Sequence, residues 1–182
     1  SCHGNLSMAY TSTSDVKTYL GTTEAGDDAL IGDLITAAQK WIEERTGQVF
    51  EAASDSTRRF AVGVDTEGQC LYFDDFIAAF TTVTNKADAT STEVISSTEY
   101  VTIPRNFGPY HGIQILDSAS KEWDYADDPE MGITVLGKWA YSTSAPADIV
   151  QATKRYTAFL YRQKDSQVFD TTAIPDQGVI VT

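Results

Sequence analysis

The spacing of apolar residues predicts a long amphipathic helix near the start of this 182-residue chain. Over residues 27–46, apolar side chains recur every three or four positions, as on one face of an α-helix. The stripe consists of Leu30, Leu34, Ile35, Ala38, Trp41 and Ile42. Asp27 and Asp28 favour a helix start, and Arg45 and Gly47 favour a helix end. Because the stripe is apolar, this helix must be buried against another part of the protein.

Two shorter patterns predict further helices at either end of the folded region. Ser14 is a suitable cap for a short first helix, which precedes the long one. Pro146 suits a first helical turn, with Ser144 as the predicted cap. The apolar stripe of that last helix consists of Ile149, Ala152, Tyr156, Phe159 and Leu160. The N-terminal helices therefore occupy about residues 14–47, and the C-terminal helix occupies residues 146–163.

Between the helices, residues 57–143 show the alternation of polar and apolar positions that is typical of β-strands. Helices and strands are thus segregated along the chain, which predicts the α+β class. We expect a helical bundle, made by the two N-terminal helices and the C-terminal helix, with an inserted antiparallel β subdomain. Together these elements form one domain over residues 8–164.

The two ends of the chain do not share these patterns. Residues 1–7 contain neither the basic nor the apolar region of a secretory signal, and Met8 resembles a natural start. We therefore interpret residues 1–7 as an extension or a cloning remnant. Residues 165–182 lose the helical spacing and contain Pro175 and Gly178, which predicts an extended C-terminal arm. Such an arm is either disordered in the isolated protein or adds a strand to a neighbour.

The charge of the chain argues against sequence-specific binding to nucleic acids. The chain has 13 basic and 26 acidic residues, which give a net charge of -13. A surface of this charge repels phosphates, and it suits a wall along which DNA slides without binding. The apolar runs are far shorter than the roughly 20 residues of a membrane-spanning helix. Two cysteines cannot supply a disulfide framework, which favours a reducing, intracellular compartment.

No constellation of residues predicts a catalytic site, a cofactor site or a metal site. Residues 132–138 resemble the start of a phosphate-binding loop, but Trp139 replaces the required Ser or Thr, and the intervening apolar residues predict a strand. His111 is the only histidine outside residues 1–7, which is too few for a catalytic triad or a zinc site. It is predicted to be a surface or turn residue. These observations favour a protein that is not an enzyme and needs no cofactor.

Clusters of acidic residues leave one enzymatic alternative open. The largest cluster comprises Asp124, Asp127, Asp128 and Glu130. Its spacing does not match a calcium-binding loop, and it predicts a solvated loop. Asp74 and Asp75 are similarly predicted to form a turn between two apolar runs. Because a polysaccharide hydrolase needs a pair of carboxylates, Asp124 and Asp127 are the candidates for that alternative.

Two groups of residues on the predicted helices are candidates for contacts between copies of the protein. Basic residues are concentrated in the last helix, where they either offset the helix dipole or pair with an acidic surface of the next copy. The helices also carry Trp41, Tyr156, Phe159 and Tyr161. Large aromatic residues anchor interfaces, but we expect Trp41 and Phe159 to pack in the core. The predicted subunit interface comprises Lys40, Glu43, Glu44, Lys154, Arg155 and Arg162.

Four blocks of the sequence resemble the head-tail connector proteins of tailed bacteriophages, which are also called adaptor, head-completion or neck proteins. In order, the blocks read SDVKTYLG, DDALIGDLITAAQKWIEERTGQVF, GITVLGKWAYS and PADIVQATKRYTAFLYRQKDS. The segment 51–125 resembles the family only in its β character. The resemblance implies a structural, non-enzymatic virion protein. Such a protein would form a ring-shaped adaptor between the portal and the tail or neck, and it would continue the DNA channel.

The resemblance also implies partners and a location. The ring would be a homo-oligomer, a dodecamer, that binds the portal protein and a neck, tail-completion or tail protein. Genomic DNA would pass through without sequence-specific binding, and no membrane would be involved. The protein would be assembled in the bacterial host cytoplasm and reside in the neck of the virion. By position, the arm of residues 165–182 would bind the portal through Val168, Phe169, Ile174, Pro175, Val179 and Ile180.

Two other classes of function are compatible with the same residues. The first is the carboxylate-dependent polysaccharide hydrolase, whose activity would depend on a single acidic residue such as Asp124. The second is a β-rich adhesion or binding module of a virion. Its binding would persist after deletion of residues 165–182, whereas binding to a portal would be lost.

Overall fold

The computed structural model describes residues 8–164, which form three α-helices, two short 3₁₀ helices and eight strands. The α-helices are α1 (Thr13–Leu20), α2 (Asp28–Thr46) and α3 (Ala147–Gln163). The strands are β1 (Ser56–Phe60), β2 (Thr66–Glu67), β3 (Cys70–Ile77), β4 (Ala79–Asn85), β5 (Glu93–Ile95), β6 (Tyr100–Ile103), β7 (Tyr110–Ile115) and β8 (Ile133–Lys138). The predicted α+β class is therefore confirmed. The predicted extension and C-terminal arm lie outside the described residues.

The caps of two helices differ from the sequence prediction. α1 begins two residues earlier than expected, because Ser12 rather than Ser14 accepts the first hydrogen bond, from the backbone N–H of Asp15. Asp15 closes a reciprocal capping box with Ser12. α3 begins directly after Pro146, which occupies the cap position, so the prediction of Ser144 as cap was also wrong. The backbone angle φ of proline is fixed at a value that suits entry into a helix, so α3 begins here without a side-chain cap.

The strands form two antiparallel four-stranded sheets that share one core. Their strand orders are β1-β8-β4-β5 and β2-β3-β7-β6. In the first sheet Val135 lies opposite Val83, and in the second Leu71 lies opposite Ile113. The inward side chains of both sheets form a single buried cluster of Phe60, Leu71, Ile77, Val83, Ile95, Ile113, Ile115, Trp123, Ile133, Val135 and Trp139. The β region is thus a sandwich whose interior is apolar.

Asp74 and Asp75 lie within β3 instead of forming the predicted turn. The guanidinium of Arg58, on β1 of the other sheet, lies 3.3 Å from the Asp74 carboxylate and 2.9 Å from that of Asp75. The same guanidinium lies over the ring of Trp139, at 4.4 Å from its centre. This cation allows two adjacent carboxylates to remain in a strand. The chain leaves β3 later, at Ala78.

The strand region ends earlier than the predicted residue 143. β8 stops at Lys138, so Trp139 and Tyr141 lie beyond the strand. Trp139 is fully buried in the sandwich, whereas Tyr141 packs against Phe50 at the base of the helices, with ring centres 5.8 Å apart. The backbone N–H of Tyr141 donates to the carbonyl of Val49 at 2.8 Å. This segment therefore joins the sandwich to the helical part.

The three helices pack so that α1 covers one side of the α2–α3 pair. Val16 of α1 is buried with Ile31 and Ile35 of α2, and Tyr161 of α3 packs against the same cluster. At the opposite end of the pair, Ile149 of α3 packs against a cluster that contains Ile42 of α2. The early part of α2 thus lies beside the late part of α3, so the two helices run antiparallel.

Asn85 is a fully buried polar residue that fastens a loop to β4. Its side-chain amide donates to the carbonyl of Glu122 at 2.8 Å and to the carboxylate of Glu93 at 2.9 Å. Its side-chain oxygen accepts from the backbone N–H of Asp124 at 2.9 Å. Burial removes this side chain from water, and both its amide nitrogen and its oxygen are hydrogen-bonded within the protein.

Replacement of Asn85 by alanine is expected to lower the free energy of unfolding by about 2 kcal/mol, because three hydrogen bonds disappear and two backbone groups lose their partners. Urea unfolding of the variant and the native protein measures this loss. Asn106→Ala, at an exposed position, is the control and should change stability by less than about 0.5 kcal/mol. Equal losses for the two variants would show that the buried network is not stabilising.

Candidate interaction surface

The apolar stripe of α2 divides into a buried half and an exposed half. Ile35 and Ile42 are buried, as a core stripe should be, but Trp41 is 47% exposed. At 3.6 residues per turn, Trp41 lies about 80° to 120° around the helix from Ile31 and Ile35, which face α1. On α3, Phe159 is 54% exposed. The prediction that Trp41 and Phe159 pack in the core was therefore wrong.

These exposed aromatic residues form one continuous surface across α2 and α3. The rings of Trp41 and Tyr156 have centres 4.8 Å apart, and those of Tyr156 and Phe159 are stacked at 6.3 Å. The guanidinium of Arg45 lies over the Trp41 ring at 5.7 Å. We call this surface the aromatic-arginine face and define it by Trp41, Arg45, Arg155, Tyr156, Phe159 and Arg162.

The arginines of this face have no carboxylate partner among residues 8–164. Arg155 and Arg162 are exposed and lie one helical turn before and one turn after Phe159. By contrast, Lys17 pairs with Asp28 at 2.7 Å, and other basic residues of the described domain form similar pairs. The aromatic-arginine face thus combines exposed apolar rings with cations that can receive an acidic partner.

The six residues of the predicted subunit interface have different surroundings. Lys40 and Glu44 are exposed and lie 3.8 Å apart, one turn from each other on α2. Glu43 instead accepts a hydrogen bond from the Tyr10 hydroxyl, which attaches the segment before α1 to α2, and another from the Gln39 amide within α2 itself. Lys154 is half-buried and Arg155 and Arg162 are exposed. Their role in subunit contacts stays a prediction, since the structure contains one copy.

The residues of the predicted portal-binding arm lie outside the described residues. They are Val168, Phe169, Ile174, Pro175, Val179 and Ile180. The preceding residue Lys164 is described, and its ammonium lies 2.7 Å from the carboxylate of Asp27, just before α2. Tyr161 donates a hydrogen bond to the same carboxylate. These contacts hold the end of α3 against the start of α2.

The acidic loop is held by a carboxylate that the sequence did not point to. Asp88 accepts hydrogen bonds from the backbone N–H groups of Ala126, Asp127 and Asp128, at 3.0, 2.6 and 2.8 Å. These donors lower the pKa of Asp88 from 3.8 to about 2. Nearly forty residues separate Asp88 from the loop, so no local motif links them. The prediction that the acidic cluster forms an exposed loop is confirmed.

Asp124 does not have the surroundings of a general acid. Its carboxylate lies 3.0 Å from the ammonium of Lys86. This contact, together with the backbone N–H of Tyr125, lowers the pKa of Asp124. A polysaccharide hydrolase needs one carboxylic acid whose pKa is raised, so that it remains protonated until it donates to the leaving group. Asp124 therefore fits the hydrolase alternative poorly.

The remaining candidates for chemistry also lie in structural positions. Residues 132–138 run from the end of a loop into β8, as their apolar character predicted. His111 is exposed on β7 and not in a turn, because the preceding turn is complete by Pro109. Over residues 8–164, no group of three or more potential ligands from His, Cys, Asp and Glu could hold a metal ion. None of the described helices is both long and apolar enough to cross a membrane.

Protonation of Asp88 is expected to contribute to unfolding in acid. Because its pKa in the folded state is about 2 and its ordinary value is 3.8, the unfolded chain binds the proton more readily. The carboxylate therefore stabilises the fold above about pH 4, and this contribution is lost as the pH falls from about 4 to about 2. Urea midpoints across that range should fall less steeply for Asp88→Asn than for the native protein.

Asp127→Asn is the matched control for this experiment, because it removes one charge from the same loop without removing the carboxylate that holds it. We expect this control to retain the native dependence on pH. If Asp88→Asn and Asp127→Asn change the dependence equally, the loss of net charge explains the result, and the anchoring role of Asp88 is wrong.

Comparison with known proteins identifies the family. The sequence model described as phage gp6-like head-tail connector protein matches residues 10–106, just over half of the chain. The match includes α1, α2 and the strands from β1 to β6, but not the later blocks that carry β8 and α3. No curated protein matches the chain. The chain thus belongs to the phage gp6-like head-tail connector family, whose members are structural connector proteins of the virion.

Proposed function

We propose that this connector protein forms a ring-shaped adaptor between the portal and the tail or neck of the virion, and that the ring continues the DNA channel. The ring is a dodecamer of identical subunits, assembled in the bacterial host cytoplasm. Its other partners are the portal protein on one side and a neck, tail-completion or tail protein on the other. Membership of the head-tail connector family supports the general role. The ring, its stoichiometry and its contacts are the proposal.

The observation that carries this proposal is the aromatic-arginine face. A monomeric protein rarely keeps several large aromatic residues exposed side by side, since their burial is favourable. Trp, Tyr and Arg are also the residues that contribute most to binding at protein interfaces. In a ring, each copy presents this face to a different surface of the next copy, which is a heterologous contact that closes on itself. Acidic side chains on the next copy would pair with the arginines.

The charge of the chain supports passage of DNA through the ring. Each subunit carries a net charge of -13, so a ring of identical subunits has a strongly negative field. Contacts between subunits would cover the arginines of the aromatic-arginine face and leave exposed carboxylates on other surfaces. A wall of that charge repels the phosphates of DNA, and genomic DNA therefore passes through without sequence-specific binding.

Residues 165–182 are the proposed contact with the portal. Lys164, the residue before this segment, forms an ion pair with Asp27 at the early end of α2. Apolar residues such as Phe169 and Ile180 would order on docking, at an entropic cost that is offset because the contact is repeated around the ring. The β sandwich, which lies beyond the helices, would meet the next neck or tail protein.

Electron microscopy of the purified protein with portal-containing particles tests the proposed function. We expect a ring of density on the portal, coaxial with the DNA channel. A chain truncated after Lys164 should retain the far-ultraviolet circular dichroism of the native protein but fail to dock. Particles that bind no protein would contradict the docking of a ring on the portal. Particles that bind the truncated chain equally well would contradict the portal contact through residues 165–182.

A further inference from the structure

We propose that, in the free subunit, the aromatic-arginine face is covered by residues 165–182 of the same chain. This inference rests on the proposed function in one respect, since the same face is the contact between subunits in the ring. It adds a regulatory role: the segment that binds the portal also keeps the subunit from associating before the portal is present.

The first argument is the chemistry of the face itself. Trp41 and Phe159 present about half of their surfaces to solvent, and Tyr156 lies between them. Arg155 and Arg162 flank these rings without a carboxylate partner in the described domain. The face therefore fits an occupant that combines apolar side chains with negative charge and carries no positive charge.

Residues 165–182 have that composition. The segment contains three aspartates, at positions 165, 170 and 176, and no lysine or arginine. Apolar residues lie between and after them, and these are Val168, Phe169, Ile174, Val179, Ile180 and Val181. The segment can thus place apolar side chains on the rings while its carboxylates approach the guanidinium groups.

The segment also begins at the right place. Lys164 follows directly on α3, the helix that carries Tyr156 and Phe159. Phe159 lies five residues before Lys164, which is about 7.5 Å along the helix axis. Eighteen extended residues span up to roughly 60 Å, so the segment can turn back and follow the face as far as Trp41. A tethered segment acts at an effective concentration in the millimolar range, which favours it over a second copy in dilute solution.

Occupation by the segment has a consequence for assembly. The aromatic-arginine face cannot contact the next subunit while residues 165–182 cover it. Once the portal binds the segment, the face becomes free and the next subunit can join. Rings would therefore grow on the portal and not in solution, which couples the order of assembly to a single segment of the chain.

Quenching of tryptophan fluorescence by acrylamide tests this inference, because Trp41 is the only tryptophan of the chain that is exposed within the described domain. Trp123 is 7% and Trp139 is 0% exposed, so quenching reports mainly on Trp41. In the full chain at low concentration, we expect Trp41 to be protected. The full-length variant Phe169→Ser with Ile180→Ser should be quenched severalfold faster, whereas Thr171→Ser with Thr172→Ser should behave like the native chain. Trp41→Phe should remove the difference.

A second pair of variants tests the arginines. Arg155→Glu with Arg162→Glu should expose Trp41 as much as the Phe169→Ser and Ile180→Ser variant does. The new glutamates carry the same charge as the aspartates of the segment and repel it. Arg105→Glu, at an exposed position in the sandwich, should have no effect. A synthetic peptide of residues 165–182, added to the Phe169→Ser and Ile180→Ser variant, should restore protection. Identical quenching of the native chain and this variant would overturn the inference.

Two further outcomes separate this inference from the proposed function. Protection of Trp41 that appears only as the protein concentration rises would assign the face to a second copy, and it would also overturn the inference. Rings on the portal together with an unprotected Trp41 would disprove that residues 165–182 cover the face, and would leave the connector role intact. A protected Trp41 without any ring on the portal would disprove the connector role, and would leave the inference about residues 165–182 intact.

Discussion

Replacement of Gly137 by alanine is expected to destabilise the fold by about 3 kcal/mol, at the upper end of the usual effect of overpacking. A Cβ atom at this position would lie 2.3 Å from the carbonyl oxygen of Ala79 and 2.8 Å from the Cδ1 atom of Ile77. The first distance is far below van der Waals contact. Because the closest atom belongs to the backbone, a change of side-chain rotamer cannot relieve the clash.

The close approach arises where the chain passes from one sheet to the other. β3 ends at Ile77 in the second sheet, and β4 begins at Ala79 in the first. Between them, the N–H of Ala78 donates to the carbonyl of Lys138 at 2.8 Å. Gly137 precedes Lys138 in β8, which is paired on both edges, with β1 and β4. The strand therefore cannot move aside to accept a methyl group.

Gly32→Ala is the matched control, because it adds the same methyl group in the second turn of α2. No atom lies within 4 Å of a Cβ built there, and the residue has ordinary helical geometry. Alanine should stabilise the helix by up to about 1 kcal/mol at this position. Urea unfolding of both variants should therefore shift in opposite directions. A Gly137→Ala protein as stable as the native one would show that the chain crossing can relax.

The sequence predicted the helices well because the signals that set them are local. α2 was expected over residues 27–46 and extends from Asp28 to Thr46. Its end at Gly47 follows from a residue that adopts the left-handed conformation, with φ 68°. The start of α1 was less accurate, because Ser12 and Ser14 are chemically equivalent caps. Only the capping box with Asp15 distinguishes them.

The candidate surface could be predicted only in part, since burial depends on the packing of distant elements. The periodicity of α2 predicted an apolar stripe, but it did not show which half of the stripe α1 covers. Ile31 was not included in that stripe, although it is fully buried. Local patterns in the sequence likewise give no sign that Asp88 holds residues 126–128. The sequence also did not show that Arg58, on the opposite sheet, pairs with Asp74 and Asp75 and allows them to lie in a strand.

Loss of the two exposed aromatic side chains is expected to abolish ring formation without unfolding the subunit. In the variant Trp41→Ser with Phe159→Ser, the aromatic-arginine face keeps its arginines but loses its apolar anchors. Anchors of this kind contribute about 2 kcal/mol or more each to an interface. The loss is repeated at every contact of the ring, so assembly should fail at concentrations at which the native protein assembles on the portal.

Val64→Ser with Phe107→Ser is the matched control, since it removes two apolar side chains that are even more exposed, at 82% and 69%, but lie in loops of the sandwich. Both variants should lose no more than about 1 kcal/mol of stability, as is usual for exposed positions. Electron microscopy with portal particles should show rings for the control and none for the Trp41 and Phe159 variant. Rings of normal appearance from that variant would exclude the aromatic-arginine face as the subunit contact, because no interface retains its strength after both of its central anchors are removed.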